Sequence, residues 1–214
     1  GIAAVCHTRG VGFDDLKIDM NDYAQFKRDF KLPPLSLYAL RCREKKFMEH
    51  YIAFRLLGLD PGRRYLDIAS ESSPFPALAR RQLGLDAYSQ DLTYPAGVQG
   101  YCIGSSADRL PVPDNWVDGA SLQCAFEHFQ GQIDTNFVHE LSRVLKPGGK
   151  CVMVPLYMHH EPLNIYDPIL YSDWSDNTAD PGATIVAEID LGGHFERIYS
   201  PDTLKRILIN DIGL

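Results

Sequence analysis

The chain has 214 residues, of which 45% are hydrophobic and 23% charged, a balance typical of one globular α/β domain. Its formal net charge of −7 disfavours nucleic acid as a substrate, because phosphate backbones are bound mainly by Lys and Arg. It has no run of about 18 apolar residues and no signal-peptide pattern at its start, so we predict a cytoplasmic protein without a membrane partner.

The five cysteines are odd in number, scattered, and never arranged as a C-x-x-C pair. This pattern favours reduced thiols over a disulfide framework or a zinc site. His159, His160, Glu161, Asp167 and His194 carry ligand-type side chains, but adjacent histidines on an extended chain point in opposite directions. We therefore predict no metal site.

Helical spacing of apolar residues predicts a helix over residues 35–57, ended by Gly58. Ser73 and Pro74 favour the start of a second helix that stops at Gly84, and Asp134 is predicted to cap a third. A last helix is predicted over residues 201–212. Strands are predicted at residues 64–68, 85–89, 98–103, 117–122 and 151–155.

Strands that alternate with helices at this spacing predict a doubly wound, mostly parallel sheet with helices on both faces. Ligands in such sheets bind at the carboxyl ends of the strands. Residues 156–193 form a long aromatic and polar stretch that leaves the end of the last predicted strand. Long loops inside compact domains are usually functional, so we predict a lid over the ligand crevice.

Four segments occur in an order and spacing that carry a family resemblance. They are LDPGRRYLDI at residues 59–68, the acidic residue Asp91, ADRLPVPDN at residues 107–115, and LSRVLKPGG at residues 141–149. Together they resemble class I S-adenosylmethionine-dependent methyltransferases of the small-molecule type over residues 59–157. The resemblance implies a Rossmann-like α/β fold within a single domain. Its parts would be a helical cap (1–58), a cofactor-binding core (59–155), a lid or insertion (156–194) and a last helix (195–214).

The resemblance also implies a set of residues around S-adenosylmethionine. Asp67 would lie near the methionine amine, Asp91 would accept both ribose hydroxyls, and Leu92 would pack on one face of the adenine. Either Ser106 or Asp108 could bind the adenine amino group, and both stay open. The predicted cofactor-binding residues are Asp67, Ala69, Ser70, Glu71, Ser73, Asp91, Leu92, Ser106, Ala107, Asp108 and Gln123.

The loop after residue 68 departs from the family, which has glycines at alternate positions there. Ala69 and Ser73 are small, but neither adopts positive φ as readily as glycine. The carboxylate of Glu71 could repel the cofactor's carboxylate, point to solvent or meet the amine.

Phe126-Glu127-His128 matches the family segment after the fourth strand, and His128 is the candidate general base because histidine titrates near neutrality. Methyl transfer often needs little beyond in-line positioning, so a base need not be used. The predicted function is methyl transfer to a small organic acceptor, with the attacking atom (O, N or C) left open.

Two alternatives are a non-catalytic module that kept the fold and a nicotinamide-dependent oxidoreductase. The oxidoreductase would need the G-x-G-x-x-G loop that this chain lacks. The chain stops where further strands of the family would begin. We therefore expect either a fragment or a sheet edge covered by another segment, with a homo-oligomer as one way to cover it.

Overall fold

A computed structural model describes residues 2–8, 10, 12–31, 43–170, 182–189 and 195–210. The helices are α1 (Ile2–Thr8), α2 (Met20–Asp29), α3 (Arg43–Leu57), α4 (Phe75–Leu83), α5 (Ile133–Val144) and α6 (Pro201–Lys205). The strands are β1 (Arg64–Ile68), β2 (Asp86–Gln99), β3 (Cys102–Gly104), β4 (Val117–Gln123), β5 (Leu145–Val154), β6 (Leu163–Tyr166), β7 (Thr184–Ala187) and β8 (Phe195–Ile198). The predicted start of the first long helix, residues 35–42, lies outside the described residues.

The chain divides into two compact units. The five-strand unit comprises Leu16–Gln123 and Arg143–Pro155, and the three-strand unit comprises Gly1–Asp15, Cys124–Ser142 and Leu156–Leu214. All the predicted cofactor-binding residues belong to the five-strand unit, whereas His128 belongs to the three-strand unit.

The five-strand unit contains a parallel sheet in the order β3-β2-β1-β4-β5. Asp67 near the end of β1 lies opposite Ser89 of β2 and Ser121 of β4. The carboxyl ends of the three central strands therefore meet at one edge of the sheet, which is where such sheets bind ligands. The predicted fold class, a mostly parallel Rossmann-like sheet with helices, is confirmed.

The α4 helix follows its local signals closely. It begins after Pro74, whose preceding Ser73 Oγ accepts a hydrogen bond from Phe75 N, and it ends at Gly84 in the left-handed conformation. Its buried side chains join an aromatic core with α2 and α3. The buried members of that core are Tyr23, Phe30, Phe47, Tyr51, Phe75 and Leu78.

The region after β1 and α4 differs from the predicted strand boundaries. The second predicted strand is too short, since β2 continues to Gln99, and the third is displaced to Cys102–Gly104. The first part of β2 pairs with β3 in the parallel direction, from Ser89 opposite Cys102 to Asp91 opposite Gly104. The last part of β2 runs back along β3, so that Val98 lies opposite Ile103. The chain folds back closely enough that a Cβ on Gly104 would lie 2.0 Å from the Pro95 carbonyl oxygen. Only glycine fits at this crossing.

The three-strand unit holds a sheet in the order β7-β6-β8, parallel for β6 and β7 and antiparallel for β6 and β8. These strands were not predicted. Asp134 does not cap α5, which begins at Ile133; its buried carboxylate pairs with the buried guanidinium of Arg197 and accepts a bond from the Tyr199 hydroxyl at 3.3 Å. A buried ion pair outweighed the local capping pattern.

The last predicted helix is α-helical only in α6, and a π-helical turn, Arg206–Asn210, follows it. Within the part of the chain that the structure describes, no helix is long and apolar enough to cross a membrane.

Candidate active site at the carboxyl edge of the parallel sheet

Asp67 lies buried at the carboxyl end of β1. Its Oδ2 accepts a bond from the Ser70 hydroxyl at 3.1 Å, while Oδ1 is buried and has no hydrogen-bond partner among the described residues. Burial raises the pKa of Asp67 to about 7, although the bond from Ser70 and the positive charge of Lys46 oppose this rise. A buried carboxylate oxygen without a donor fits a cationic amine.

The loop between β1 and α4 uses left-handed backbone where the family has glycines. Ala69 has φ 50° and Glu71 has φ 47°. Such angles are costly for residues with a Cβ, by roughly 1–2 kcal/mol each. The sequence correctly marked this loop as unusual, and the positions in strain are the alternate ones, Ala69 and Glu71; Ser73 is not among them.

The backbone of Glu71 ties the loop to the middle of β2. Its N–H donates to Asp91 Oδ2 at 2.8 Å, and its carbonyl accepts a bond from the Tyr94 hydroxyl. The Glu71 side chain itself is exposed. Of the three possibilities raised by the sequence, this geometry corresponds to a carboxylate that points to solvent.

Asp91 is the buried acid at the ribose position predicted by the resemblance. Its Oδ1 accepts from the Thr93 N–H at 2.9 Å and from the Thr93 hydroxyl at 2.8 Å, and its Oδ2 accepts from Glu71. A carboxylate can accept about four hydrogen bonds, so capacity remains for a ligand hydroxyl. The neighbouring Leu92 is 73% exposed, an apolar side chain that a flat ring could cover.

Gln90 is a buried residue that the sequence analysis missed. Its Oε1 accepts the Ala69 N–H at 3.0 Å, and its Nε2 donates to the Ser105 carbonyl at 2.5 Å. Its own carbonyl accepts the Ser70 N–H at 2.8 Å. One side chain therefore fixes both loops that surround the end of β2. The only sequence signal was a polar residue beside Asp91 in a strand.

The segment after β3 holds the two candidates for the adenine amino group. Ser106 and Asp108 are half-buried on either side of the buried Ala107. Neither side chain makes a hydrogen bond within the described parts of the chain, so both remain able to bind a ligand.

A polar network follows the end of β4. Gln123 Nε2 donates to Ser121 Oγ at 2.6 Å, which is 2.7 Å from the Tyr65 hydroxyl. The Gln123 carbonyl accepts a bond from Lys46 Nζ of α3 at 3.0 Å. No role was predicted for Lys46 from the sequence, and its position beside the end of β4 was missed.

His128 lies in a 3-10 turn, Phe126–His128, of the three-strand unit. Its Nδ1 is 2.6 Å from the Phe195 carbonyl oxygen. A carbonyl can only accept, so Nδ1 carries the hydrogen in this contact, and in the neutral form of the ring the lone pair would lie on Nε2. The side chain is exposed, which leaves Nε2 open to a proton-donating molecule.

Comparison with known proteins gives a family. A family model described as "Methyltransferase domain" matches residues 45–153, just over half of the chain. The chain belongs to this methyltransferase family. The predicted class I methyltransferase and its cofactor, S-adenosylmethionine, are thereby confirmed. No curated protein matches the chain.

Several solved structures are similar to parts of the methyltransferase domain. The YcgJ protein from Bacillus subtilis is 20% identical, with 57% of this chain and 53% of that chain covered and a TM-score of 0.45. A putative methyltransferase from Bacillus halodurans is 20% identical, with 53% of each chain covered and a TM-score of 0.46. A putative methyltransferase in complex with the Haloferax volcanii Trm112 activator is 16% identical, with 80% and 72% covered and a TM-score of 0.46.

The matched part spans about half the length of the first two of these structures. The sheet order and the residues at its carboxyl edge, rather than these distant similarities, therefore carry the account of the site. Asp67 Oδ1, which is buried and has no partner among the residues that the structure describes, and the spare acceptor capacity of Asp91 fit a ligand with an amine and a ribose.

Proposed function

We propose that this methyltransferase domain transfers a methyl group from S-adenosylmethionine to a small organic acceptor. The observation that carries the proposal is the pair of buried acids on adjacent strands, Asp67 of β1 and Asp91 of β2; among the described residues Asp67 Oδ1 has no hydrogen-bond partner. When bound, the cofactor supplies an electrophilic methyl group on a sulfonium.

The residues divide between the two ends of the cofactor. Asp67 binds the amine, and Asp91 binds the ribose hydroxyls while it holds the Glu71 backbone in place. Leu92 covers one face of the adenine, and Ser106 or Asp108 binds the adenine amino group. Ala69, Ser70 and Ser73 let the loop approach closely, and Gln123 completes the pocket.

The acceptor class follows from charge and composition. A net charge of −7 opposes binding of a polyanion, and aromatic residues such as Tyr157 and Tyr166 in residues 156–193 suit an uncharged or apolar organic molecule. We propose that this segment, of which residues 171–181 and 190–193 lie outside the described residues, contributes to a lid over the acceptor.

His128 is the proposed general base for an acceptor that must lose a proton. Its Nδ1 donates to the Phe195 carbonyl, so that bond fixes the tautomer with a free Nε2. The base would take the proton from the attacking atom as the methyl group is transferred.

A non-catalytic binding module is the second candidate, and the absence of glycine from residues 69–73 favours it. The enzyme would transfer the methyl group to an acceptor, whereas the binding module would not.

To distinguish them, the purified wild type and Asp91→Ala are each incubated with methyl-labelled S-adenosylmethionine and pools of small molecules, and the label in any product is measured.

Labelled product that depends on Asp91 supports the enzyme. Tight cofactor binding with no labelled product from any pool would favour the non-catalytic module. His128→Gln should lower the rate of methyl transfer without weakening cofactor binding; an unchanged rate would refute the base.

A further inference from the structure

Lys46 is a cation whose side chain reaches the carboxyl end of β4. Its side chain is only 15% exposed, whereas that of the adjacent Lys45 is 51% exposed. Its Nζ lies 3.0 Å from the Gln123 carbonyl oxygen at the end of β4 and 3.0 Å from Glu49 Oε2 one turn along α3. A long, flexible side chain placed this way loses rotamer freedom, so it is held by its surroundings.

Lys46 acts electrostatically on the cofactor residue Asp67. Its charge lowers the pKa of Asp67 against the effect of burial, and it also helps to lower the pKa of the fully buried His50. The His50 ring stacks on Phe75 at 3.7 Å between centroids, next to the loop after β1. Since His50 stays neutral, Lys46 supplies the positive charge on this side of Asp67.

Hydrogen-bonding capacity is left over on both charged groups. An ammonium has three N–H donors, and among the described residues Lys46 donates one hydrogen bond, to the Gln123 carbonyl, beside its ion pair with Glu49. Asp67 Oδ1 is buried and has no donor among them. An unsatisfied donor and an unsatisfied acceptor of opposite charge thus lie at the same edge.

We propose that Lys46 binds the α-carboxylate of the cofactor's amino-acid end, opposite the amine held by Asp67. This inference rests on the proposed cofactor-dependent function and names the second half of its recognition. Lys46 keeps N–H donors beyond its bond to the Gln123 carbonyl, and a charge-assisted bond to a carboxylate can use them.

The test uses three ligands that differ at the amino-acid end. S-adenosylmethionine carries both the carboxylate and the amine, decarboxylated S-adenosylmethionine carries the amine alone, and 5′-methylthioadenosine carries neither. Calorimetry measures each affinity for wild type, Lys46→Gln, Lys46→Arg, Asp67→Asn and the matched control Lys45→Gln. Binding of 5′-methylthioadenosine reports in every variant that the nucleoside site is intact.

Lys46→Gln should lower the affinity for S-adenosylmethionine by about tenfold or more and should leave the affinities for the other two ligands within about twofold of the wild-type values. Lys46→Arg should recover most of the loss, and Lys45→Gln should change nothing. Asp67→Asn should lower the affinity for both ligands that carry an amine and should leave the affinity for 5′-methylthioadenosine unchanged.

Two results would overturn the assignment of Lys46. One is an affinity for S-adenosylmethionine that Lys46→Gln leaves unchanged, and the other is an equal loss for all three ligands, which would make Lys46 a structural residue. Failure of wild type to bind any of the three would instead refute the proposed function itself, and the inference with it.

Discussion

The carboxylate of Asp91 accepts hydrogen bonds from Glu71 and Thr93 of the protein, and we propose that it also accepts the ribose hydroxyls of the cofactor. We expect Asp91→Ala to weaken S-adenosylmethionine binding by at least about tenfold, because bonds to a charged acceptor each contribute roughly 1.5–3 kcal/mol. Calorimetric titration measures the affinity, and thermal unfolding reports the accompanying loss of loop contacts.

Asp86→Ala is the matched control for Asp91. Asp86 is the first residue of β2 and forms an ion pair with Arg64 at 2.8 Å. The substitution Asp86→Ala therefore removes a carboxylate from the same strand but away from the proposed cofactor site. Its affinity should equal that of wild type. Equal affinities of Asp91→Ala and Asp86→Ala would refute the ribose assignment.

Glu71 occupies left-handed backbone that a glycine adopts without a steric penalty. Since its side chain is exposed, Glu71→Gly should stabilise the domain by about 1 kcal/mol, as seen by urea unfolding. Ser72→Gly is the control, because Ser72 has no positive φ and glycine there only adds freedom to the unfolded chain. A loss of stability at Glu71→Gly equal to that at Ser72→Gly would show that no strain is stored.

At the residue scale, the sequence predicted what local pattern and family order determine. It placed Asp67 near the end of β1, as the structure has it, whereas Asp91 lies inside β2, at the point where the parallel pairing with β3 ends. It missed Lys46, because whether one face of a helix meets the end of β4 depends on packing between residues 77 positions apart. It also left three orientations open for Glu71, since backbone conformation decides among them.

Gln90 links two elements, the loop after β1 and the segment after β3. Replacing it with Met keeps the volume but leaves the Ala69 N–H and the Ser105 carbonyl without their partner. We expect a loss of stability of about 1–3 kcal/mol by urea unfolding, together with weaker cofactor binding. Gln99→Met, at the exposed end of β2, should have neither effect. Unchanged stability in Gln90→Met would show that the two loops are held by other contacts.

Elements with strong local signals were predicted well. The α4 helix has proline at its start and glycine at its end, and β1 is a short buried run, so the chain itself marks their limits. The boundaries of β2 and β3 were wrong because the fold-back at Gly104 depends on a close approach between distant backbone segments. Asp134 was wrongly predicted as a helix cap. Its buried partner, Arg197, lies 63 residues away in sequence, so no local pattern indicates the ion pair.

For the whole domain, pH should control cofactor affinity through Asp67. Burial raises its pKa to about 7, so below pH 7 the empty domain keeps Asp67 protonated, and binding of the cationic amine must release that proton. Affinity should therefore rise by up to ~tenfold per pH unit toward pH 7 and level off above it.

The same shift acts on stability. A carboxyl group whose pKa is raised on folding favours the folded state at low pH, so the free energy of unfolding of the empty domain should fall as pH rises from about 4 to 7. Asp67→Asn should remove both dependences, as measured by calorimetry in buffers of different ionisation enthalpy and by urea unfolding across this range. A pH-independent affinity in wild type would refute the role of Asp67.

The carboxyl edge of the parallel sheet should bind S-adenosylmethionine despite a loop without glycine. Calorimetric titration of the whole chain with S-adenosylmethionine, beside a titration with NADH, measures this binding. We expect saturable binding of one S-adenosylmethionine per chain and no heat from NADH. No binding at millimolar S-adenosylmethionine, or binding of NADH in its place, would contradict it.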